Sequence, residues 1–177
     1  MCTALLGLLV GSFLNVVIHR LPVMTEREWR SDCASLLEIE PGETPAEPFN
    51  LVTPRSRCPG CGHAITAMEN IPVLSYVMLG GKCRACKKPI SLRYPGVELL
   101  SGVAAGAVAI AYGFSSATVF ALVLTWSLIA LAAIDFDTQF LFDSITLPML
   151  WLGLIANYFG VFVSLEEAVL GAVFGYL

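Results

Sequence analysis

No lysine or arginine follows Arg93 and none precedes Arg20, so all ten basic residues of this 177-residue chain fall in one internal stretch. Charge is scarce everywhere: Asp, Glu, Lys and Arg together make up 14% of the chain, against 56% hydrophobic residues and a mean hydropathy of +0.76. That poverty excludes an ordinary soluble domain and a disordered chain, and it points to a membrane protein whose partner is the lipid bilayer, with no nucleic acid expected. The first apolar run lacks the basic leader of a signal peptide. No Gly-x-Gly-x-x-Gly follows a strand-like run, so no dinucleotide-type cradle can be read from the residues.

What the chain does have is long apolar runs. Ala117 to Ile134 is eighteen residues without a charge and Ile145 to Val163 is nineteen more, each near the ~20 that cross a bilayer as a helix. A further span is expected over roughly Val97 to Phe114. Ala4 to Ile18, at fifteen residues, is short for a span, and its beginning is expected to lie outside the sequence. In it, Gly7 and Gly11 form a small-xxx-small pair beside Ser12 and Asn15, a pattern that lets helices approach closely or is simply tolerated. Ala168 to Leu177 starts a fifth span but is too short to cross, so the chain reads as truncated there. The organisation is therefore a first membrane helix at 1–18, a polar loop domain at 19–94, and spans two to four with the start of a fifth at 95–177. The basic residues nearest the spans, Arg20, Lys87, Lys88 and Arg93, put the loop domain on the cytoplasmic side.

The loop opens with an acidic linker from Glu26 to Pro48, broken by Pro41, Pro45 and Pro48, with a short helical stretch expected around Asp32 to Ile39. Cys58-Pro-Gly-Cys61 and Cys83-Arg-Ala-Cys86 follow, 21 residues apart. Two Cys-x-x-Cys knuckles near the spacing of a zinc ribbon predict a structural Zn²⁺ held by Cys58, Cys61, Cys83 and Cys86, since four thiolates leave no open position for water. Two disulfides are the rival and are disfavoured in a reducing cytoplasm, and a dithiol redox site would need only one pair. Cys2 and Cys33 stand alone, and His63 reads as a turn residue. Between the knuckles, Val73 to Leu79 is expected to pack the metal module onto the membrane face as a helix or strand. Glu98 opens the second span, either capping it or serving a site.

Asp135, Asp137 and Asp143 sit within nine residues between the third and fourth runs. Ionisable groups at a membrane edge are functional hypotheses by default. Asp137 and Asp143 also suit solvated turn or helix-start positions, whereas Asp135 follows Ile134 directly on the last turn of a span. Three chemistries fit: an aspartic peptidase, in which two carboxylates share a proton; a Mg²⁺ or Mn²⁺ site for phosphate or lipid chemistry; and a non-enzymatic zinc-bearing scaffold whose aspartates only cap helices. Counting spans places the zinc loop and all three aspartates on one face.

Gly11-Ser-Phe-Leu-Asn-Val-Val-Ile-His-Arg-Leu-Pro22, the paired knuckles, Glu69-Asn-Ile-Pro72, Arg93-Tyr-Pro95 with Glu98-Leu, and Ile134-Asp-Phe-Asp137 through Leu147-Pro148 closely resemble the bacterial type IV prepilin peptidases, in the family's order along the chain. The resemblance implies an all-α polytopic inner-membrane enzyme with a cytoplasmic four-cysteine zinc loop. It implies cleavage of the basic leader from prepilins and pseudopilins, for pili and type II secretion. It also implies N-methylation of the new amino terminus with S-adenosylmethionine, and Asp135 as the first of two catalytic aspartates. Two departures stand out. Phe142 replaces the proline usual before Asp143, which is expected to loosen that turn. The family's second aspartate lies in a Gly-x-Gly-Asp motif, and residues 1–177 contain none.

Overall fold

The computed structural model describes residues 2–38 and 48–176, and among them the regular structure is helical. Its elements are α1 (Cys2–Leu36), α2 (Leu74–Met78), α3 (Arg93–Tyr112), α4 (Ser116–Thr138), α5 (Asp143–Tyr158) and α6 (Leu165–Tyr176), with a short 3-10 turn at Met68–Asn70. Only two isolated bridges, Arg57 with Ala64 and Lys82 with Pro89, interrupt this. The chain is thus the all-α fold expected, and α1, α3 and α4 are long and apolar enough to cross a membrane.

α1 does not stop near Ile18. It runs 35 residues, roughly 52 Å at 1.5 Å per residue, and so outreaches a ~30 Å hydrocarbon core by several turns. Half of residues 19–36 are good helix formers (Ala, Leu, Met, Glu or Arg), and Arg30 pairs with Glu26 one turn earlier at 2.6 Å. Pro22 sits within the helix and removes only the hydrogen bond to the Ile18 carbonyl. The separate helix expected at 32–39 is therefore the end of α1, while Pro41 and Pro45 lie outside the described residues.

α1 and α3 pack through small residues. A Cβ at Gly11 would stand 2.7 Å from Glu98 Cα, and one at Gly7 would stand 2.7 Å from the Ser101 carbonyl and Ala105 Cβ. The Ser101 hydroxyl donates to the Gly7 carbonyl at 2.6 Å. The glycine pair is thus a packing device, letting the two backbones meet and hydrogen-bond without a side chain between them.

Ser115 caps α4 as its turn position suggests, taking the Thr118 amide. α5 ends at Tyr158, earlier than its apolar run, because Asn157 accepts the amides of Phe162 and Val163 and Gly160 turns the chain at φ +67°. At 16 residues it measures about 24 Å. Ser164 and Glu167 then form a capping box that starts α6.

The core lies at the aspartate end of the bundle. Leu14 and Ile18 of α1, Val97 of α3, and Ala130 and Ile134 of α4 enclose Phe142. Phe142 is 7% exposed, and its carbonyl takes the first amides of α5 from Ile145 and Thr146. The turn that a missing proline was expected to loosen is held instead by a buried ring.

Candidate functional site

The two cysteine knuckles fold alike. In the first, the Cys58 amide donates to the His63 carbonyl and the Gly62 amide to the Cys58 carbonyl; in the second, Cys83 donates to Lys88 and Lys87 to Cys83. Gly62 and Lys87 occupy the same left-handed position, at φ +72° and +61°. Each turn is set by chain geometry, and lysine bears at 87 the strain that glycine escapes at 62.

Facing each other, the knuckles bring four sulfurs within 4.8 Å of one another, with Cys58 Sγ 3.8 Å from Cys86 Sγ and Cys61 Sγ 4.0 Å from Cys83 Sγ. A tetrahedron of thiolates about 2.3 Å from Zn²⁺ has edges of about 3.8 Å, so the donor set fits that ion. These separations between the knuckles are far from the ~2.05 Å of a disulfide, and all four cysteines are free. The Gly60 amide holds the Cys58 thiol down to about 7 against its ordinary 9.0, ahead of smaller contributions from its neighbours. The amides of Cys86 and Ala85 lower Cys83. Cys61 receives the His63 amide, but desolvation and the three surrounding sulfurs outweigh it and push the thiol up to about 11. Such a spread is what crowded thiols show when only some can ionise, and a dication removes the conflict.

Glu69 ties the knuckles together. Its carboxylate accepts the amide and hydroxyl of Thr66, both at 2.9 Å, and meets His63 Nε2 at 3.3 Å and Arg84 at 3.9 Å. Thr66 first, then His63, hold this carboxyl below the usual range. His63 is accordingly a turn residue with an ionic partner, outside the sulfur cluster.

The module is fastened to the helices at two points, through Arg20 and Glu98, while Asn15 ties α1 to the start of α3 beside them. Arg20, buried near the end of the apolar part of α1, donates to the Asn50 carbonyl at 2.7 Å and the Pro54 carbonyl at 2.5 Å, with the Phe49 ring 5.5 Å away. Asn15 donates to the Tyr94 carbonyl at 3.0 Å. Glu98, buried in the second turn of α3, accepts the amide of Val73 at 2.8 Å. Val73 leads into α2 at φ +58°, a costly conformation for a β-branched residue. Of the two roles open to Glu98, capping α3 is ruled out: the helix starts five residues earlier, at Arg93, and the carboxylate reaches out to another element.

Arg93 in turn joins α3 to α4. Its guanidinium contacts both carboxylate oxygens of Asp137 at 2.6–2.7 Å and donates to the Ala133 carbonyl at 3.0 Å. This charge-assisted pair, with one guanidinium nitrogen on both carboxylate oxygens and the other on the Ala133 carbonyl, fixes the last turn of α4 beside the first turn of α3, hence beside the zinc module. The far arm of α1 reaches the same end, where Trp29 meets the Phe140 ring edge-on at 5.7 Å. The knuckles and all three aspartates therefore stand at one end of the bundle.

Within that end the aspartates differ. Asp137 is committed to Arg93. Asp143 is the first residue of α5 and takes the Thr146 hydroxyl at 3.4 Å, a helix-start role. Asp135 is exposed on the last turn of α4, above the buried Ile134, and joins no ion pair among the described residues. The three do not converge into a metal-holding group among the described residues, where the cysteines alone form one. Asn15, expected to help α1 meet a neighbouring helix, does so through the Tyr94 carbonyl, whereas sequence reasoning missed the Arg20 and Glu98 contacts with the module, whose signal was a polar residue inside or at the rim of an apolar run.

Comparison with known proteins agrees with this geometry. Residues 5–112 match the family model described as the bacterial peptidase A24 N-terminal domain, and residues 122–177 match that of the type IV leader peptidase family. The chain is 55% identical over 177 residues to a prepilin leader peptidase/N-methyltransferase of Pseudomonas aeruginosa, covering all of this chain and 61% of that protein. It is 56% identical to the protein of the same name from Stutzerimonas stutzeri, with the same coverage. The one from Aeromonas hydrophila is 53% identical over 173 residues, covering 98% of this chain and 60% of the relative. The chain thus spans about three-fifths of the length of these relatives. No solved structure matches it.

Proposed function

Because the chain belongs to the bacterial peptidase A24 family, we propose that it serves in the inner membrane as an aspartic endopeptidase that removes the leader of prepilins and pseudopilins, and as the methyltransferase that caps the new amino terminus. The observation that carries the peptidase reading is Asp135: Asp137 is spent on Arg93 and Asp143 takes the Thr146 hydroxyl, whereas Asp135 stands exposed on the last turn of α4 with neither kind of partner among the described residues, at the same end as the four-cysteine module.

In an aspartic mechanism two carboxylates within a few ångströms share one proton, so that one activates water while the other protonates the scissile carbonyl. Asp135 is one of the pair. Ile134, packed in the core behind it, holds it in place, and the Arg93–Asp137 pair keeps the end of α4 from fraying. Asp137 is not the partner: its negative charge is spent on Arg93, and two residues along a helix place it roughly 200° around from Asp135. On the family's pattern the partner belongs to a Gly-x-Gly-Asp motif and is none of the carboxylates in residues 1–177. Zn²⁺, held by Cys58, Cys61, Cys83 and Cys86, would clamp the two preformed knuckles of the 50–90 module together and leave no open coordination position.

The methyltransferase half rests on the relatives' printed name, which is consistent with S-adenosylmethionine as donor. The groove between α3 and α4 is lined by apolar side chains and Thr125 and offers the charged ends of such a donor no partner.

Expression of the natural gene, with single substitutions, in cells lacking their own prepilin peptidase tests the assignment, with leader removal and N-methylation read separately by mass spectrometry. Asp135→Asn abolishes leader removal, Asp137→Asn and Asp143→Asn weaken it less, and methylation of a pre-cleaved substrate survives all three. Full cleavage by the Asp135→Asn protein would return the site to the scaffold reading.

A further inference from the structure

One surface of the zinc module is unexplained by any of this chemistry. Leu74, Val77 and Met78 of α2 are spaced i, i+3, i+4, so they share one face of the helix, and they are 52%, 69% and 77% exposed. Tyr76 points the other way, its hydroxyl to the Ile90 carbonyl and its ring against Gly81. Leu92, 74% exposed, stands one residue before α3. A small metal module with its inner contacts already made has no reason of its own to present an apolar stripe to water.

Two further observations say what covers it. The first is depth. The Val73 amide at the head of α2 is bound to Glu98, five residues into a helix of membrane-crossing length, which puts α2 roughly 8 Å along the α3 axis from Arg93. Leu99 and Leu100 beside that point are themselves exposed and apolar. The second is charge. Between residues 50 and 92 there are six lysines and arginines, from Arg55 to Lys88, all exposed, against one acidic residue, Glu69, already engaged by Thr66, His63 and Arg84. Four thiolates around a dication leave about −2, which does not cancel the excess.

We propose that α2 is an interfacial anchor: its Leu74–Val77–Met78 stripe, with Leu92, lies in the acyl boundary of the bilayer while the basic residues of the zinc module bind the headgroups of anionic phospholipids. The zinc module then rests on the membrane beside α3 instead of hanging from it, with its height set by lipid as well as by Glu98. This does not depend on the peptidase reading, only on the membrane helices and the module's geometry.

The test uses the whole protein in nanodiscs of phosphatidylglycerol with phosphatidylethanolamine, or of phosphatidylcholine alone, with the photo-crosslinker p-benzoylphenylalanine at position 77 or, as a control, at the exposed loop position 53. Position 77 gives phospholipid adducts and position 53 gives few. Native mass spectrometry shows phosphatidylglycerol retained severalfold over phosphatidylcholine, and the triple variant Lys82→Gln, Lys87→Gln, Lys88→Gln loses that preference while keeping its zinc, which shows that the module is still folded. Crosslinks from position 77 to protein, equal lipid adducts at both positions, or a phosphatidylglycerol preference unchanged in the zinc-retaining triple variant would each overturn the proposal.

Discussion

Single residues here are constrained by backbone proximity more than by side-chain chemistry. Gly11 meets the α3 backbone at Glu98, which cannot step aside, so Gly11→Ala forces the helices apart and costs about 1–3 kcal/mol, whereas Gly96, whose Cβ would meet nothing, tolerates alanine. Thermal unfolding in a mild detergent checks this: Gly11→Ala lowers Tm by several degrees and Gly96→Ala leaves it alone. The cysteines differ through their amides. In zinc-free protein Cys58, held down to about 7 by the Gly60 amide, is largely thiolate just above neutral pH, and Cys61, pushed up to about 11, stays a thiol. The sign follows: alkylation at Cys58 falls as pH drops through about 7, and that at Cys61 rises only toward 11, while added zinc protects all four cysteines. Peptide mapping after iodoacetamide treatment across pH reads the order directly, and equal rates at Cys58 and Cys61 would refute it.

At the scale of elements, what could be read in the sequence was whatever repeats or alternates. The paired knuckles were legible because Cys-x-x-Cys spacing dictates a tetrahedral donor set, and α4 because eighteen uncharged residues bounded by serines and aspartates have one sensible fold in lipid. What stayed hidden were contacts between distant elements. Glu98 reads like a cap because acidic residues favour helix starts, and only the packing shows α3 beginning at Arg93 with its Glu98 side chain spent on Val73. α1 reads as ending where its hydrophobicity ends, yet helix propensity carries it to Leu36 in water. The Glu98 contact is testable. Glu98→Ala leaves the Val73 amide unpaired in a strained backbone, a loss of about 1–3 kcal/mol, and Glu98→Gln, which retains an acceptor oxygen, recovers part of it. Hydrogen exchange at residues 73–78 accelerates in the alanine variant and less in the glutamine variant, with zinc content unchanged. Equal protection in all three proteins would mean that α2 is held by something else.

Across the described residues one arrangement dominates: the four-cysteine cluster and the three aspartates between α4 and α5 sit at one end. Arg93 links the start of α3 to the end of α4, Glu98 links α3 to the zinc module, Arg20 links the module to α1, and Trp29 reaches Phe140 between α4 and α5. Among the described residues no link of this kind crosses to the Tyr112–Ser115 turn, where Tyr112 instead meets Phe162 edge-on at 5.9 Å. If α3 and α4 each cross the bilayer, the two ends must face different compartments, and on the positive-inside bias of its basic residues we propose that the zinc module's end is the cytoplasmic one. A reporter active only outside the cytoplasm is therefore silent when fused after Ile90 or Asp137 and active after Ser115. Fusion after Glu166 adds the one span whose length leaves room for argument: α5 covers about 24 Å, enough to cross a thin or locally compressed bilayer, and activity there shows that it does. Signal after Asp137 would separate the aspartates from the zinc loop in a way that the 2.6 Å Arg93–Asp137 pair forbids, and the shared-face arrangement, with the aspartic site built on it, would have to be abandoned.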